Sequence, residues 1–286
     1  MGRMDGRVVF ITGAARGQGR AHAIRVAEEG GHVIAVDICA DIASNSYPMA
    51  SREDLAETAS LVEKHGGQAL ATVADVRDRA ALAAALDEGV ARFGRLDGVV
   101  AQAGICPLGT TEPQAFIDAI AVDYGGVFNA IDVALPHLNR GASIVATGST
   151  AALIPGSLDN AAKGSGGLGY SWAKRAVASL VHDFAVVLAP EGIRVNAVHP
   201  TNVNTDLLHN DAMYKTFRPD LAAPGLEDVL PAFPAMTATG IPYVEPEDVA
   251  DMVLFLLSDE SRQVTGMQMR VDAGGYAKLR PQLPVF

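Results

Sequence analysis

The sequence contains little of what several specialised classes of protein require. Only two of its 286 residues are cysteines, Cys39 and Cys106, too few for a disulfide framework, so a reduced intracellular compartment is expected. Basic runs are absent and the net charge is −11, so neither nucleic acid nor an anionic membrane surface is an expected partner. No apolar run approaches the ~20 residues of a membrane helix, and the first residues do not resemble a signal peptide. These absences predict a soluble, cytoplasmic protein.

Histidine is present but scattered. The seven histidines show neither HxxxH nor HExxH spacing, so no metal site is expected.

Strand-like and helix-like segments alternate through most of the chain, which at 49% apolar residues can bury a sizeable core. The predicted strands span residues 7–12, 32–37, 68–74, 96–101, 142–147, 193–198 and 267–271. The predicted helices span residues 19–29, 54–65, 79–93, 113–138, 169–188 and 246–257. Alternation of this kind indicates βαβ units. It predicts a single α/β domain, residues 1–286, with a doubly wound parallel seven-stranded sheet and helices on both faces.

Two stretches interrupt this alternation. Residues 38–52 separate the second strand from the next helix, and residues 202–244 form a long segment with prolines and large apolar side chains. Loops of this length in a compact domain are usually functional or disordered. The apolar side chains favour a substrate-covering lid for residues 202–244, and the alternative is a surface packed on a neighbouring subunit.

A glycine-rich octet, Thr12 to Gly19, follows the first strand and opens a helix. Its glycines permit a tight turn, and the free amides at the start of the helix attract a pyrophosphate. At the first strand–helix junction this octet predicts a dinucleotide site. The candidate residues are Gly13, Arg16, Gly17, Gln18 and Gly19.

Two acidic residues follow the next strands. Asp37 ends the second strand, where a carboxylate can bind both ribose hydroxyls and repel a 2′-phosphate, which favours NAD over NADP. Arg16 could instead attract that phosphate, and Asp37 could merely cap a turn. Asp75, followed by Val76, lies after the third strand, where it can meet the adenine amino group or serve as a helix-start acid.

Tyr170 and Lys174 are four residues apart in a helical segment and therefore share one face. A nearby ammonium favours the phenolate, so we expect Lys174 to lower the pKa of Tyr170. Such a phenol suits general acid/base exchange with an alcohol or carbonyl oxygen. In isolation, the same spacing is also typical of a packed ring beside a solvated amine.

Together these motifs resemble the short-chain dehydrogenase/reductase family over nearly the whole chain. The matching strings are TGxxxGxG from Thr12, YxxxK from Tyr170, and single positions at Asp75, Ala103, Gly104, Asn196 and Pro200. The resemblance implies a Rossmann fold, a homotetramer and NAD-linked hydride transfer. It implies Tyr170 as acid/base, Lys174 on the nicotinamide ribose and Ser149 on the substrate oxygen. It also implies that Pro200, Val203 and Thr205 line the nicotinamide.

The sequence departs from the family pattern in three respects. The usual Asn-Asn-Ala-Gly appears as Ala101-Gln102-Ala103-Gly104, and Asp123 replaces an asparagine of the usual catalytic set. Asp123 is either a participant in the proton relay or a plain helix-interior acid. Ser149 and Tyr170 are separated by an unusually long segment, which makes Ser157 a competing candidate for the serine role.

Strings such as VDICADI and HPTNVNT are most similar to the mycofactocin-coupled, carveol-dehydrogenase-like subgroup. That resemblance implies that residues 38–52 cover NAD and retain it, with the mycofactocin redox carrier reoxidising it. The predicted activity is interconversion of a small hydrophobic secondary alcohol and its ketone. Two alternatives are a 3-oxoacyl carrier-protein reductase, disfavoured by Asp37 and the acidic charge, and a non-catalytic NAD-binding regulator.

Overall fold

Strands and helices alternate along the chain, for which the computed structural model describes residues 2–154 and 163–279. The strands are β1 (Val8–Thr12), β2 (His32–Asp37), β3 (Ala69–Val73), β4 (Leu96–Ala101), β5 (Leu138–Thr147), β6 (Arg194–Pro200) and β7 (Gln268–Val271). The helices are α1 (Gly17–Glu28), α2 (Arg52–Lys64), α3 (Arg79–Phe93), α4 (Pro113–Ile120), α5 (Val127–Ala134), α6 (Thr150–Leu153), α7 (Gly164–Leu188), α8 (Asp211–Phe217), α9 (Leu226–Val229), α10 (Pro246–Leu257) and α11 (Gly275–Leu279).

All seven strands form one parallel sheet in the order β3-β2-β1-β4-β5-β6-β7, which confirms the predicted doubly wound architecture. The central strands are buried on both faces because each face is covered by helices. Apolar side chains from α3, α5 and α7 pack on one face, and those from α1, α2 and α10 pack on the other. No helix within the two described ranges is long and apolar enough to cross a membrane.

The order in which strands are added to the sheet reverses at β1. Strand β1 pairs with β2 on one side and with β4 on the other. At such a switch point the connections leave the strands in opposite directions and open a crevice beyond their carboxyl ends. The loops that follow β1 and β4 therefore border the place where a ligand is expected.

The predicted continuous helix over residues 113–138 is wrong. After α4 the chain forms a π-helix, Ala121–Gly126, before α5 resumes, and a 3₁₀ turn follows in which Pro136 cannot continue the α-helical pattern. Leu138 then begins β5 and not a helix end. The widened turn accommodates buried Asp123 and brings Gly126 against Val76, where a Cβ would lie 2.4 Å from the valine Cγ2. Interruptions of this kind often occur at functional sites.

The two interrupting stretches both pack onto the carboxyl edge of the sheet. Residues 38–51 contain no helix or strand, yet Ile42, Tyr47 and Ala50 are buried. Residues 202–244 form α8, α9 and a 3₁₀ turn at Phe233–Met236, and their apolar side chains cluster with Tyr170. Both stretches therefore contribute buried side chains beside the crevice.

Candidate active site

The glycine-rich octet forms a close turn between β1 and α1. Gly13 has φ +67°, and a Cβ on this residue would lie 2.8 Å from the Cα of Ala103, so only glycine fits beside the loop after β4. A Cβ on Gly19 would lie 2.0 Å from the Gly13 carbonyl oxygen. The turn thus brings the start of α1, with its free amides, to the crevice.

Asp37 ends β2 beside this turn and is buried. Its Oδ2 accepts a hydrogen bond from the amide of Ala15 at 3.0 Å, and its Oδ1 accepts one from the amide of Cys39 at 3.3 Å. Burial raises the pKa of Asp37, and these amides act in the opposite direction. Asp75 also faces the crevice, but its carboxylate is paired with Arg77 at 2.6 Å.

Arg16 joins the glycine turn to both interrupting stretches. Its Nη2 donates to the carbonyl oxygen of Pro48 at 2.5 Å, and its Nη1 lies 2.7 Å from Asp206 Oδ2. The guanidinium is therefore engaged by protein groups and spans the mouth of the crevice. Arg16 also borders the first cavity, so its predicted role in cofactor binding stays a prediction.

Tyr170 and Lys174 lie on one face of α7 and are both buried. The Lys174 ammonium lies 5.6 Å from the centre of the Tyr170 ring and donates to the carbonyl oxygen of Thr147 at 3.0 Å. It also lies 3.0 Å from Oδ1 of Asp123, forming a buried ion pair. Gly104 packs against this pair, because a Cβ there would lie 2.5 Å from the Asp123 oxygen.

Ser149 is the N-cap residue of the short helix α6, where its hydroxyl oxygen accepts a hydrogen bond from the amide of Ala151 at 3.1 Å. The same side chain is hydrogen-bonded to Tyr170. Ser157, the competing candidate, lies outside the described residues.

Every residue predicted for the site that the structure describes lines one of two adjoining cavities. The first lies over β1–β3 and is bordered by Gly13, Arg16, Gly17, Gln18, Gly19, Asp37, Asp75, Val76, Ala103, Gly104 and Thr205. The second lies over β4–β6 and is bordered by Asp123, Ser149, Tyr170, Lys174, Pro200 and Val203. The residues common to both are Gln18, Gln102, Gly104, Thr205 and Leu207.

Comparison with known proteins places this geometry in a family. A family model described as enoyl-(acyl carrier protein) reductase matches residues 13–276. A Mycolicibacterium smegmatis protein named as a short-chain type dehydrogenase/reductase is 46% identical, over 97% of this chain and 99% of that protein. The chain belongs to the short-chain dehydrogenase/reductase family.

Two relatives of this dehydrogenase/reductase carry substrate names. The (-)-trans-carveol dehydrogenase of Rhodococcus erythropolis is 42% identical, over 96% of this chain and 99% of that protein. The crystal structure of carveol dehydrogenase from Mycobacterium avium in complex with NAD superposes with a TM-score of 0.91. It is 43% identical and covers 97% of this chain and 100% of its own.

The net direction of the Tyr170 pKa in this dehydrogenase/reductase is opposite to the direction expected from Lys174 alone. Burial raises the pKa of Tyr170 well above its usual value, and the neighbouring Cys106 and Asp123 add to the increase. The hydrogen bond with Ser149 acts in the opposite direction. The ammonium of Lys174 is itself paired with the Asp123 carboxylate at 3.0 Å.

Asp123 is fully buried, and burial raises its pKa while Lys174 and the amide of Ile105 lower it. Ile105 donates to Asp123 Oδ2 at 3.2 Å. The Asp123 carboxylate therefore contacts both Lys174 and the amide of Ile105.

Two residues at the site escaped sequence reasoning. Tyr47, the one aromatic residue of segment 38–52, is buried, and its phenol accepts a hydrogen bond from the amide of Cys106. Gln102 accepts a hydrogen bond from the Thr147 hydroxyl at 2.5 Å and lies 3.1 Å from His22 Nε2. Gln102 departs from the family pattern, and that departure was the available signal. For Tyr47 the signal was a single aromatic residue in a segment without regular periodicity.

The residues around the two cavities fit a bound dinucleotide. Three residues that border the second cavity each carry a buried polar atom with no hydrogen-bond partner among the described residues: Gln18 Oε1, Thr201 Oγ1 and Asn202 Nδ2. Buried polar groups are nearly always hydrogen-bonded, so these atoms indicate a polar ligand. The glycine turn and Asp37 complete a cradle for phosphate and ribose.

Proposed function

We propose that this chain is an NAD-dependent dehydrogenase that interconverts a hydrophobic secondary alcohol and its ketone. The observation that carries the proposal is the convergence of Ser149, Tyr170 and Lys174 on one cavity that opens into the dinucleotide cradle. A nucleophile, metal cluster or second acid/base pair is not needed for this chemistry.

The proposed roles follow from the contacts of each side chain. Tyr170 exchanges a proton with the substrate oxygen, and Ser149, its hydrogen-bond partner, orients that oxygen. Lys174 is fixed by Thr147 and Asp123 and holds the nicotinamide ribose. Asp123 offsets the positive charge of Lys174. It takes the position of the family's asparagine in the proton relay.

NAD supplies the hydride acceptor when bound. The buried carboxylate of Asp37, fixed beside the glycine turn, suits the two ribose hydroxyls of NAD and opposes the 2′-phosphate of NADP. The complex of the Mycobacterium avium relative with NAD supports the same choice. Preference for NAD also disfavours a 3-oxoacyl carrier-protein reductase.

The substrate side of the second cavity is mainly apolar. Its walls include Leu207, Leu208, Met213, Phe217 and Met236, which belong to segment 202–244. This lining suits a hydrophobic alcohol, and the carveol dehydrogenase relatives act on an alcohol by name. Residues 202–244 are accordingly proposed as the substrate lid.

Segment 38–52 is proposed to cover NAD and retain it between turnovers. Three contacts support this role: Arg16 to Pro48, Ser44 Oγ to Asp118 Oδ2 at 2.6 Å, and the bond between Tyr47 and the Cys106 amide. A cofactor held in this way must be reoxidised in place. Mycofactocin, the carrier implied by the subgroup resemblance, is the proposed acceptor.

A homotetramer is proposed as the assembly. Large apolar side chains are exposed on α4, α5 and α7, namely Ile117, Phe128, Trp172, Val186 and Val187. Exposed apolar side chains on neighbouring helices are typical of subunit interfaces. Light scattering during size-exclusion chromatography measures the mass directly, and a monomer would contradict the proposal.

The proposed function is tested by identifying the nucleotide released when purified protein is denatured, by mass spectrometry. NAD or NADH at close to one per chain is expected, and nucleotide-free protein after ordinary gel filtration would contradict retention. A panel of secondary alcohols is then assayed with an artificial electron acceptor. Tyr170→Phe is expected to retain nucleotide and lose turnover, whereas full turnover in that variant would contradict the acid/base role.

A further inference from the structure

His199 lies near the end of β6 and is completely buried behind the Ser149 loop. Its Nδ1 lies 3.1 Å from the amide nitrogen of Ser149 and 3.0 Å from the carbonyl oxygen of the same residue. On the other side of the ring, Nε2 lies 2.6 Å from Oε1 of Gln268 on β7. Both ring nitrogens therefore contact protein groups.

The Gln268 amide determines which ring nitrogen carries the proton. Its Nε2 donates to the carbonyl oxygen of Ala178 at 3.1 Å, so its Oε1 faces the histidine and accepts from Nε2–H. Nδ1 then has a free lone pair and accepts from the amide of Ser149, so its contact with the Ser149 carbonyl oxygen is not a hydrogen bond in this tautomer. Burial lowers the pKa of His199, in agreement with a neutral ring of this tautomer.

The ring also restrains the loop by direct packing. A Cβ on Gly148 would lie 2.4 Å from both Nδ1 and Cε1 of His199, so the imidazole rests on the bare backbone immediately before Ser149. Gly148 donates its amide to the Val198 carbonyl oxygen at 2.8 Å, which fixes the loop to β6. The amide and the preceding backbone of Ser149 are thereby held together.

A series of hydrogen bonds connects the Ser149 loop with helix α7. Ser149 is held by His199, His199 by Gln268, and Gln268 by the Ala178 carbonyl on α7. Ala178 lies eight residues after Tyr170 on the same helix, about two turns further along it. This series of hydrogen bonds therefore fixes the loop that carries Ser149 relative to the helix that carries Tyr170.

We propose that His199 is a positioning residue for Ser149. It holds the serine backbone so that the hydroxyl meets the oxygen that Tyr170 protonates or deprotonates, and Gln268 fixes the required tautomer. The inference rests on the proposed function because it assumes that Ser149 orients the substrate. His199 is not a second acid/base, since it borders neither cavity and both of its nitrogens are occupied.

The test compares three variants of the purified protein: His199→Leu, His199→Asn and His199→Gln. The asparagine Oδ1 occupies nearly the place of Nδ1 and can accept from the Ser149 amide, whereas the longer glutamine places its amide nearer the position of Nε2. We expect His199→Leu to lower kcat about 10- to 100-fold through misplacement of the hydroxyl, with bound nucleotide unchanged. His199→Asn should restore more of kcat than His199→Gln, and equal activity of these two variants would overturn the proposal.

A second comparison separates positioning from a general structural role. In a Ser149→Ala background, His199→Asn and His199→Leu should cause no further loss, because their effect passes through the serine. An additional loss of the same size as in the wild-type background would overturn the inference while leaving the proposed function intact. Full activity of Ser149→Ala alone would instead overturn the role of the serine in the proposed function. Should His199→Leu fail to fold, the asparagine and glutamine variants still decide the matter.

Discussion

Replacement of Asp123 by asparagine removes a buried negative charge 3.0 Å from Lys174 while retaining the size of the side chain. For alcohol oxidation the phenolate of Tyr170 is the reactive form, so the rate rises with pH through the pKa of that phenol. Asp123 is one of the groups that raises this pKa. Its removal should lower the pKa and move the acid limb of the pH–rate profile to lower pH.

The expected size of the effect follows from two distances. The ammonium lies 3.0 Å from Asp123 and 5.6 Å from the Tyr170 ring centre, so the carboxylate lies within about 9 Å of that ring. At that separation and an effective dielectric constant near 20, two unit charges interact by roughly 2 kcal/mol. Because about 1.4 kcal/mol corresponds to a tenfold change, kcat/KM at a fixed pH on the acid limb should increase at least about tenfold.

The assay is a pH profile of kcat/KM for the wild-type protein, Asp123→Asn and Asp132→Asn. Asp132 provides the matched control, since it pairs with Arg79 on the surface at 2.6 Å and undergoes the same change of charge. We expect the control profile to coincide with the wild type. An acid limb of Asp123→Asn that stays in place, or moves to higher pH, would refute the electrostatic reasoning.

The same substitution carries a cost in stability. It leaves the buried ammonium of Lys174 without an anionic partner, so that only neutral acceptors, the Thr147 carbonyl oxygen and the new amide oxygen, remain to hold it. Loss of one partner of a buried ion pair is usually destabilising, so the Tm of Asp123→Asn should fall below that of the control variant.

Three further predictions concern the crevice. Arg16→Ala breaks the link from the glycine turn to Pro48 and Asp206, so nucleotide release, followed by fluorescence after dilution, should become faster; an unchanged rate would contradict the covering role. Asp37→Ala should reduce the preference for NAD over NADP about tenfold or more in the ratio of kcat/KM values, because a ribose partner and a phosphate repellent are lost. Gly104→Ala places a Cβ 2.5 Å from the buried carboxylate oxygen of Asp123. This substitution should lower the free energy of unfolding by about 1–3 kcal/mol and should also lower kcat. The control Gly125→Ala, whose Cβ meets nothing closer than 3.8 Å, should be tolerated far better.

The sheet and the glycine turn were predictable because their signals are local. Runs such as Val8–Thr12 carry β-branched and apolar side chains, and the glycines at the first turn are required by contacts within a short stretch of chain. The helix pattern over residues 113–138 misled for the opposite reason. Apolar periodicity continues through the π-helix, so only the packing of Asp123 and Gly126 reveals the interruption.

The contacts that define the site could not be predicted because they join residues far apart in the sequence. Arg16 and Asp206 are separated by 190 residues, and neither has a spacing that indicates its partner. Tyr47 reaches the Cys106 amide from a segment with no regular structure. Side chains on irregular segments take positions set by the packing of other elements, which residue spacing does not encode.

The departures from the family pattern are connected in space, and this connection argues against loss of function. Gln102 accepts from the Thr147 hydroxyl and contacts buried His22, whose pKa burial lowers to about 4. The Thr147 carbonyl oxygen in turn accepts from Lys174, which pairs with Asp123. A chain that had lost its activity would be expected to accumulate changes at positions that make no contact with one another. Here Gln102 and Asp123 belong to one polar network that runs through Thr147 and Lys174. A double replacement by the family's asparagines should therefore couple non-additively in kcat.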